Sequence, residues 1–136
     1  MTAGALYRYL QLPQTFTGVQ LDVTTTPAMW QLEGYTDIDD QVQALVGMAV
    51  PDQGRITELG TERLVWFGWN RYFLTTHRQA LQDSDGLYVT NQTHSKTQIL
   101  IQGKAARILL VRGLPIDVAD VAFAVADVKH SHINHI

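Results

Sequence analysis

The stretch Gln98–Asp117 constrains the fold of this chain most, because it has the pattern of a complete strand–turn–helix unit. Its apolar start, Ile99–Ile101, predicts a strand, and Gly103 breaks that strand, since a residue without Cβ turns at little steric cost. The spacing that follows predicts a helix over 105–112. We expect Gly113 at the left-handed position after the helix, with the proline two residues on preventing its continuation. The unit carries no nucleophile, metal-ligand spacing or phosphate loop, so it predicts structure rather than chemistry.

Composition excludes several classes of protein. The 136 residues can bury a core, and with 46% hydrophobic and 17% charged residues the chain is typical of a globular protein. The net charge is −3 and no basic stripe forms, which argues against nucleic acid as a partner. Cysteine is absent, so disulfides and thiolate chemistry are excluded. No apolar run approaches a membrane span and the start lacks a leader pattern, so we expect a soluble, cytoplasmic protein.

Residues 1–27 predict an N-terminal arm ahead of a domain over 28–136. The arm is rich in apolar side chains before Pro13 and rich in threonine after it. Two interpretations stay open: a loose terminal arm, or an arm that docks on its own domain or on a partner. In the second case the candidate interface residues are Leu6, Tyr7, Tyr9 and Leu10, with Leu12 beside them.

The next region predicts a strand followed by a helix. Ala28–Gly34 alternates as a half-buried strand does. Thr36 and Asp39 resemble a capping box, and apolar spacing over 38–46 predicts a helix that Gly47 ends. Acids crowd the start of this helix, where its dipole favours negative charge. We interpret them as caps rather than as metal ligands.

Residues 55–76 predict three short strands, joined by turns at Gly60–Thr61 and Gly68–Arg71. We expect the aromatic side chains of these strands to pack across the sheet rather than to form a stacking platform. They are Trp66, Phe67, Tyr72 and Phe73. Trp69 differs from them, because a tryptophan in a turn is poorly placed for the core. It is the candidate anchor of a protein interface.

The rest of the chain predicts further short elements. These are a helix over 77–81, a turn at Asp83–Gly86 and a strand over 87–90. Residues 118–125 fit a helical turn or an extended run, and 128–136 alternates like a strand. Because no partner strand follows it in the sequence, two interpretations stay open: a shortened domain, or a fragment whose last strand is completed by a partner.

The sequence shows no catalytic constellation. His130 and His132 share a predicted strand face, but no third and fourth ligand accompanies them. A nucleophile elbow, a dinucleotide fingerprint and a phosphate loop are all missing from the sequence. We therefore assign no catalytic, cofactor-binding or metal-binding residue.

Four stretches, taken together, resemble the γ subunit of heterotetrameric sarcosine oxidase. They are Trp30–Leu45, Leu64–Leu74, Asn91–Gly103 and Gly103–Asp117. The last is the most specific and resembles the family's Gly-Pro-x-Ala-Arg-x-Leu-Leu-Ala-Lys-Gly-Cys-Pro-Leu-Asp-Leu. The sequence departs from the family at Leu114 (cysteine there), at Asn91 (aspartate there) and at Asn70–Arg71 (an acidic turn there). It also lacks the family's closing strand and helix.

The resemblance implies an α+β fold with mixed or antiparallel sheets and packed helices, related to the folate-binding domain of aminomethyltransferases. It implies a non-catalytic assembly subunit of a complex that oxidises N-methylated amino acids, with larger flavoprotein subunits as partners in a hetero-oligomer. Flavin, tetrahydrofolate and NAD would be held by those partners and not by this chain. The alternative is a stand-alone folate-binding, aminomethyltransferase-like domain.

Overall fold

The computed structural model describes residues 14–23 and 28–132. Within them the chain forms two compact units, one from residues 14–23, 97–125 and 129–132 and the other from residues 28–96 and 126–128. The elements in chain order are β1 (Gln14–Phe16), β2 (Val19–Val23), β3 (Ala28–Glu33), α1 (Asp39–Val46), β4 (Ile56–Leu59), β5 (Glu62–Gly68), β6 (Arg71–Thr76), β7 (Tyr88–Asn91), β8 (Ile99–Gln102) and α2 (Ala106–Gly113).

The first unit is built on a three-stranded antiparallel sheet of order β1-β2-β8. The predicted break at Gly103 is confirmed, and its φ of +118° requires glycine. A Cβ on residue 103 would collide with the carbonyl oxygen of Gly18. In the structure this oxygen accepts a hydrogen bond from the Ala105 amide at 2.9 Å. Glycine at 103 therefore lets the start of α2 approach the β1–β2 turn closely.

Part of the predicted N-terminal arm is thus regular structure. The β1–β2 hairpin pairs with β8, for example Leu21 opposite Ile101. This pairing joins residues distant in sequence, and the predicted domain boundary at residue 28 stays a prediction. Residues 1–13 lie outside the described residues.

The second unit is a five-stranded antiparallel sheet of order β4-β5-β6-β3-β7. Helix α1 supplies Val42 and Val46 to the core on one face of the sheet, where Leu32 and Leu74 are fully buried. The strand predictions for this region are confirmed, as are the turns at Gly60–Thr61 and Trp69–Asn70. The α+β class with antiparallel sheets is confirmed.

Cross-strand aromatic packing is confirmed in the same sheet. Trp66 lies opposite Tyr72 in the β5–β6 register, and Tyr72 is buried in the core. The rings of Phe67 and Phe73 are 5.6 Å apart on the other face. Aromatic side chains therefore contribute to both faces of the β5–β6 pair.

Helix α1 ends as predicted but does not begin as predicted. Gly47 has a φ of 76° and donates its amide to Gln43, which is the left-handed ending expected of glycine. The capping box of Thr36 and Asp39 is wrong, because no side chain caps the helix at Ile38. One residue earlier, the Asp37 carboxylate accepts the Asp39 amide at 3.0 Å.

The predicted helix over 77–81 is wrong, because the segment follows an irregular path along the end of α1. The Arg78 guanidinium donates to the carbonyl oxygens of Leu45 at 2.6 Å and Val46 at 3.2 Å, and it pairs with Glu62 at 3.0 Å. The Arg78 carbonyl accepts the indole N–H of Trp30 at 3.3 Å. These tertiary hydrogen bonds determine the path of the segment, and helical spacing alone does not reveal them.

The end of α2 also differs from the prediction. Gly113 is the last helical residue and not a left-handed one, and the cap at Leu114 is extended with φ −119° and ψ 134°. The reason is Pro115, whose ring disfavours helical geometry in the residue before it. The predicted position of Gly113 after the helix is therefore wrong.

Residues 118–125 form turns rather than an extended run, and the strand predicted after them is not formed in the described residues. Residues 118–125 contain turns, and the Arg107 guanidinium donates to the Val118 and Phe123 carbonyl oxygens that lie in them. The strand predicted over 128–136 is wrong for 128–132, where the chain is irregular after a single bridge between Arg55 and Asp127. Residues 133–136 lie outside the described residues.

Candidate interaction site

The turn between β5 and β6 holds Trp69 away from the core. The turn consists of Trp69 and Asn70, and Asn70 takes the left-handed conformation with a φ of +47°, which asparagine tolerates better than most residues. The Trp69 side chain is 80% exposed. The structure thus agrees with the expectation that Trp69 lies outside the core, while its role as an interface anchor stays a prediction.

The end of β3 lies beside this turn. The Gly34 amide donates to the Asn70 carbonyl oxygen at 3.1 Å. A Cβ on Gly34 would lie 2.5 Å from the Gly86 carbonyl oxygen and would also collide with the Ile38 side chain. Glycine at 34 therefore lets the chain pass close to Gly86 and Ile38 as it leaves β3. The next residue, Tyr35, is 86% exposed.

A third aromatic residue comes from β7, which pairs with β3 on its other side. Tyr88 is 48% exposed, and its ring meets that of Tyr35 edge-on at 6.1 Å with planes 66° apart. The three aromatic residues line one open cavity of about 540 Å³, which we call the aromatic notch. The residues that line it are Glu33, Gly34, Tyr35, Trp69, Asn70, Arg71 and Tyr88.

The charges in the aromatic notch compensate each other. Glu33 and Arg71 lie opposite each other in the β3–β6 register, and Arg71 Nε donates to Glu33 Oε2 at 3.2 Å. Both side chains are more than a third exposed, so the pair contributes little to stability. Because Glu33 and Arg71 pair with each other, each charge in the notch has an opposite charge beside it.

Asn70 also carries a buried polar atom without a hydrogen-bond partner. Asn70 Nδ2 is buried and makes no hydrogen bond, and it is the one buried side-chain nitrogen or oxygen without a partner among the residues that the structure describes. A buried donor left unpaired costs about 1–3 kcal/mol.

Only part of the predicted interface set can be located. Trp69 lies in the aromatic notch. The other predicted interface residues, Leu6, Tyr7, Tyr9 and Leu10, lie outside the described residues.

Sequence reasoning missed the remaining residues of the notch. Tyr35 follows the Glu33–Gly34 end of a strand, and Tyr88 follows the turn at Gly86. Tyr35 lies just after β3 and Tyr88 begins β7, so aromatic residues at the margins of strands are a usable signal. The pairing of Glu33 with Arg71 depends on strand order, which the local pattern does not contain.

The described residues offer no metal centre: no group of three or more histidine, cysteine, aspartate or glutamate side chains is arranged to hold an ion there. His130 and His132 are exposed and lie in an irregular segment, not on one strand face as predicted. Helices α1 and α2 have eight residues each, and neither has the length and apolar character needed to cross a bilayer.

Tyr72 is an ionisable residue of the core whose pKa is raised. Burial raises the pKa of Tyr72, and a hydrogen bond from its hydroxyl to Asp39 Oδ1 at 2.6 Å raises it further. The nearby charges of Asp39 and Asp37 act in the same direction. Tyr72 thereby links β6 to the first turn of α1 and is a structural group.

A second apolar surface lies on the first unit. Helix α2 has no buried residue, and Ile108 and Val111 are each more than half exposed. Nothing in the structure shows what covers this helix face.

Comparison with solved structures shows a related fold in a heterotetrameric sarcosine oxidase from Corynebacterium sp. U-96, in complex with pyrrole 2-carboxylate. The superposition has a TM-score of 0.74 and 17% sequence identity, and it covers 85% of this chain. The likeness is one of fold. It confirms at that level the resemblance to sarcosine oxidase stated from the sequence. This chain covers 65% of the length of the matched chain.

The other two comparisons give no match. No protein-family model and no curated protein corresponds to this sequence.

Proposed function

We propose that this chain is a non-catalytic assembly subunit of a flavin-dependent, sarcosine-oxidase-like complex that oxidises N-methylated amino acids. The observation that carries the proposal is the fold shared with a chain of a heterotetrameric sarcosine oxidase, at a TM-score of 0.74 over 85% of this chain. The motif order read from the sequence, above all Gly103–Asp117, supports the same family.

The aromatic notch supports a role in assembly. Exposed tryptophan and tyrosine beside an arginine have the composition of residues that dominate binding energy at protein interfaces. In the proposed complex, flavin, tetrahydrofolate and NAD belong to the larger subunits, and this chain supplies contact surface. We place the complex in the cytoplasm, as expected from the sequence.

The proposal is tested by isolating the full chain, carrying an affinity tag, from its native host under mild conditions. We expect it to elute from a sizing column with larger subunits that show flavin absorbance, and the complex to oxidise an N-methylated amino acid. The released chain should show neither flavin absorbance nor turnover. A chain that elutes alone and binds tetrahydrofolate would contradict the proposal and favour the stand-alone folate-binding alternative.

A further inference from the structure

The turn ahead of β7 contains an aspartate followed directly by a glycine. Asp85–Gly86 is the only Asp–Gly pair in the sequence, and no Asn–Gly pair occurs. The two residues form the centre of a tight turn that Ser84 and Leu87 close, since the amide of each donates to the carbonyl oxygen of the other at 3.0 Å. Both hydrogen bonds use the outer residues of the turn, and neither uses the Gly86 amide.

The two groups that react within such a pair are free to meet. Asp85 is exposed, and within the part of the chain that the structure describes its carboxylate and the Gly86 amide make no hydrogen bond or ion pair. Apart from chain neighbours, the heavy atom nearest to a Cβ built on Gly86 is Thr36 Oγ1, at 4.0 Å. The amide nitrogen therefore has no side chain of its own and no close neighbour that blocks the Asp85 carboxyl carbon.

Asp83–Ser84, in the same turn, lacks this freedom. Asp83 Oδ1 accepts the Val89 amide at 2.8 Å, and the Ser84 amide donates to the Leu87 carbonyl oxygen. Both the carboxyl and the neighbouring amide are thus engaged, and serine also carries a Cβ beside its amide. The structure therefore favours reaction at Asp85 over reaction at Asp83.

We propose that Asp85 is a site of spontaneous isomerisation to isoaspartate. The Gly86 amide nitrogen attacks Asp85 Cγ and gives up its proton, and the carboxyl hydroxyl leaves as water, which forms a five-membered succinimide ring. Water then opens one of the two ring carbonyls. Opening at Cγ restores aspartate, whereas opening at the backbone carbonyl carbon leaves the chain running through Cβ and Cγ. One water leaves and one enters, so the product is an isomer and the reaction needs no oxidant or cofactor.

Isomerisation lengthens a turn that two hydrogen bonds hold at a fixed length. Isoaspartate adds Cβ to the backbone path between Ser84 and Leu87. It also converts the Asp85 carbonyl, which accepts Gln41 Nε2 at 3.3 Å, into a carboxylate outside the backbone. Leu87 is fully buried, and β7, an edge strand of the five-stranded sheet, begins at the next residue. We therefore expect the modified turn to loosen Leu87 and β7.

The experiment stores the folded full chain at neutral pH and physiological temperature for several weeks and maps isoaspartate during that time. Trypsin cuts after Arg78 and Lys96 and releases peptide 79–96, which contains both Asp83 and Asp85. Electron-transfer fragmentation of this peptide assigns isoaspartate to one residue or the other. We expect it to accumulate at Asp85 while Asp83 stays unmodified. Methylation by a protein L-isoaspartate methyltransferase measures the new α-carboxylate independently.

Asp85→Glu is the matched control, because it keeps the charge but would require a less readily formed six-membered ring. We expect no isomer at residue 85 in this variant, and fresh samples of variant and wild type should melt alike. The stored wild-type chain should melt about 5 °C below the fresh chain. Its amides at residues 87–91 should also exchange faster, whereas the stored variant should match its own fresh sample in both measurements.

Three outcomes would overturn this inference. Equal isomerisation at Asp83 and Asp85, or isomerisation that occurs only in chain unfolded by urea, would show that the folded turn does not favour the reaction. Isoaspartate at Asp85 with unchanged melting and exchange would contradict the loosening of β7. The proposed function concerns partner subunits and is unaffected by each of these results.

Discussion

At the scale of single residues, Tyr72 ties folding to pH. Its raised pKa means that the folded state keeps the phenol proton at a pH where the unfolded chain, with the ordinary value of 10.0, has lost it. The stabilisation from Tyr72 is complete below about pH 10 and is lost as the pH rises above that value. The hydrogen bond from Tyr72 to Asp39 therefore stabilises the protein less in alkali than at neutral pH.

We predict that Tyr72→Phe reduces the free energy of unfolding by about 1–2 kcal/mol at neutral pH, because it removes the hydrogen bond to Asp39. The difference between variant and wild type should shrink as the pH rises above about 10. Urea unfolding below and above that pH measures both effects. A difference that stays constant with pH would show that Tyr72 is not the linked group.

Arg78 is the second residue whose effect can be measured. Its guanidinium satisfies two carbonyl oxygens at the end of α1 and pairs with Glu62. We predict that Arg78→Ala lowers the free energy of unfolding by about 2–3 kcal/mol, since it removes the side-chain donor to the Leu45 and Val46 carbonyl oxygens and the ion-pair partner of Glu62.

Arg63→Ala is the control for this prediction. Arg63 pairs with Glu58 at 3.0 Å, but both side chains are more than half exposed, so its loss should cost less than about 0.5 kcal/mol. Chemical unfolding of both variants makes the comparison. Equal effects would contradict a capping role for Arg78.

Residue-level prediction from sequence succeeded where local position decides the outcome. Trp69 could be placed outside the core, because it lies in a turn between two aromatic strands. The unpaired Asn70 Nδ2, the Tyr35–Tyr88 contact and the Arg71–Glu33 pair could not be found, because each depends on which strands become neighbours. The exposed position of Trp69 could therefore be predicted from the sequence, whereas its neighbours in the notch could not.

At the scale of elements, strands β3 to β8 and both helices were predictable from periodicity and glycine punctuation, whereas β1, β2 and the end of α2 were not. The segment over 77–81 has helical spacing, but the hydrogen bonds of Arg78 to α1 hold it in an irregular path. The pairing of β2 with β8 joins segments some eighty residues apart along the chain, which no local pattern encodes.

The corner between β8 and α2 gives a prediction at this scale. Gly103→Ala adds a Cβ against the Gly18 carbonyl oxygen at a residue whose φ is +118°. We predict a loss of about 2–4 kcal/mol from the stability of the first unit, because both the backbone and the contact become strained.

Gly60→Ala isolates the backbone part of that cost. Gly60 also has a positive φ, of +60°, but a Cβ there would meet nothing within 4 Å. We expect its substitution to cost about 1 kcal/mol. Thermal unfolding of the two variants gives the difference, and equal losses would mean that the close approach to Gly18 carries no energetic weight.

At the scale of the whole molecule, two compact units share one chain, and each carries exposed apolar surface. The fold class was predictable because a resemblance in motif order ran along most of the chain. The relation to a folate-binding domain stays a prediction. The partition into units was not foreseen, since it depends on the non-local pairing of the β1–β2 hairpin with β8.

The central claim is that this chain supplies contact surface to a flavin-dependent complex. It is tested most directly by light scattering of the complex isolated from the native host, recorded together with its flavin absorbance on the same sizing column. The account predicts a hetero-oligomer in which mass and flavin elute together with this chain. A flavin-free monomer that turns over substrate or binds tetrahydrofolate by itself would contradict it.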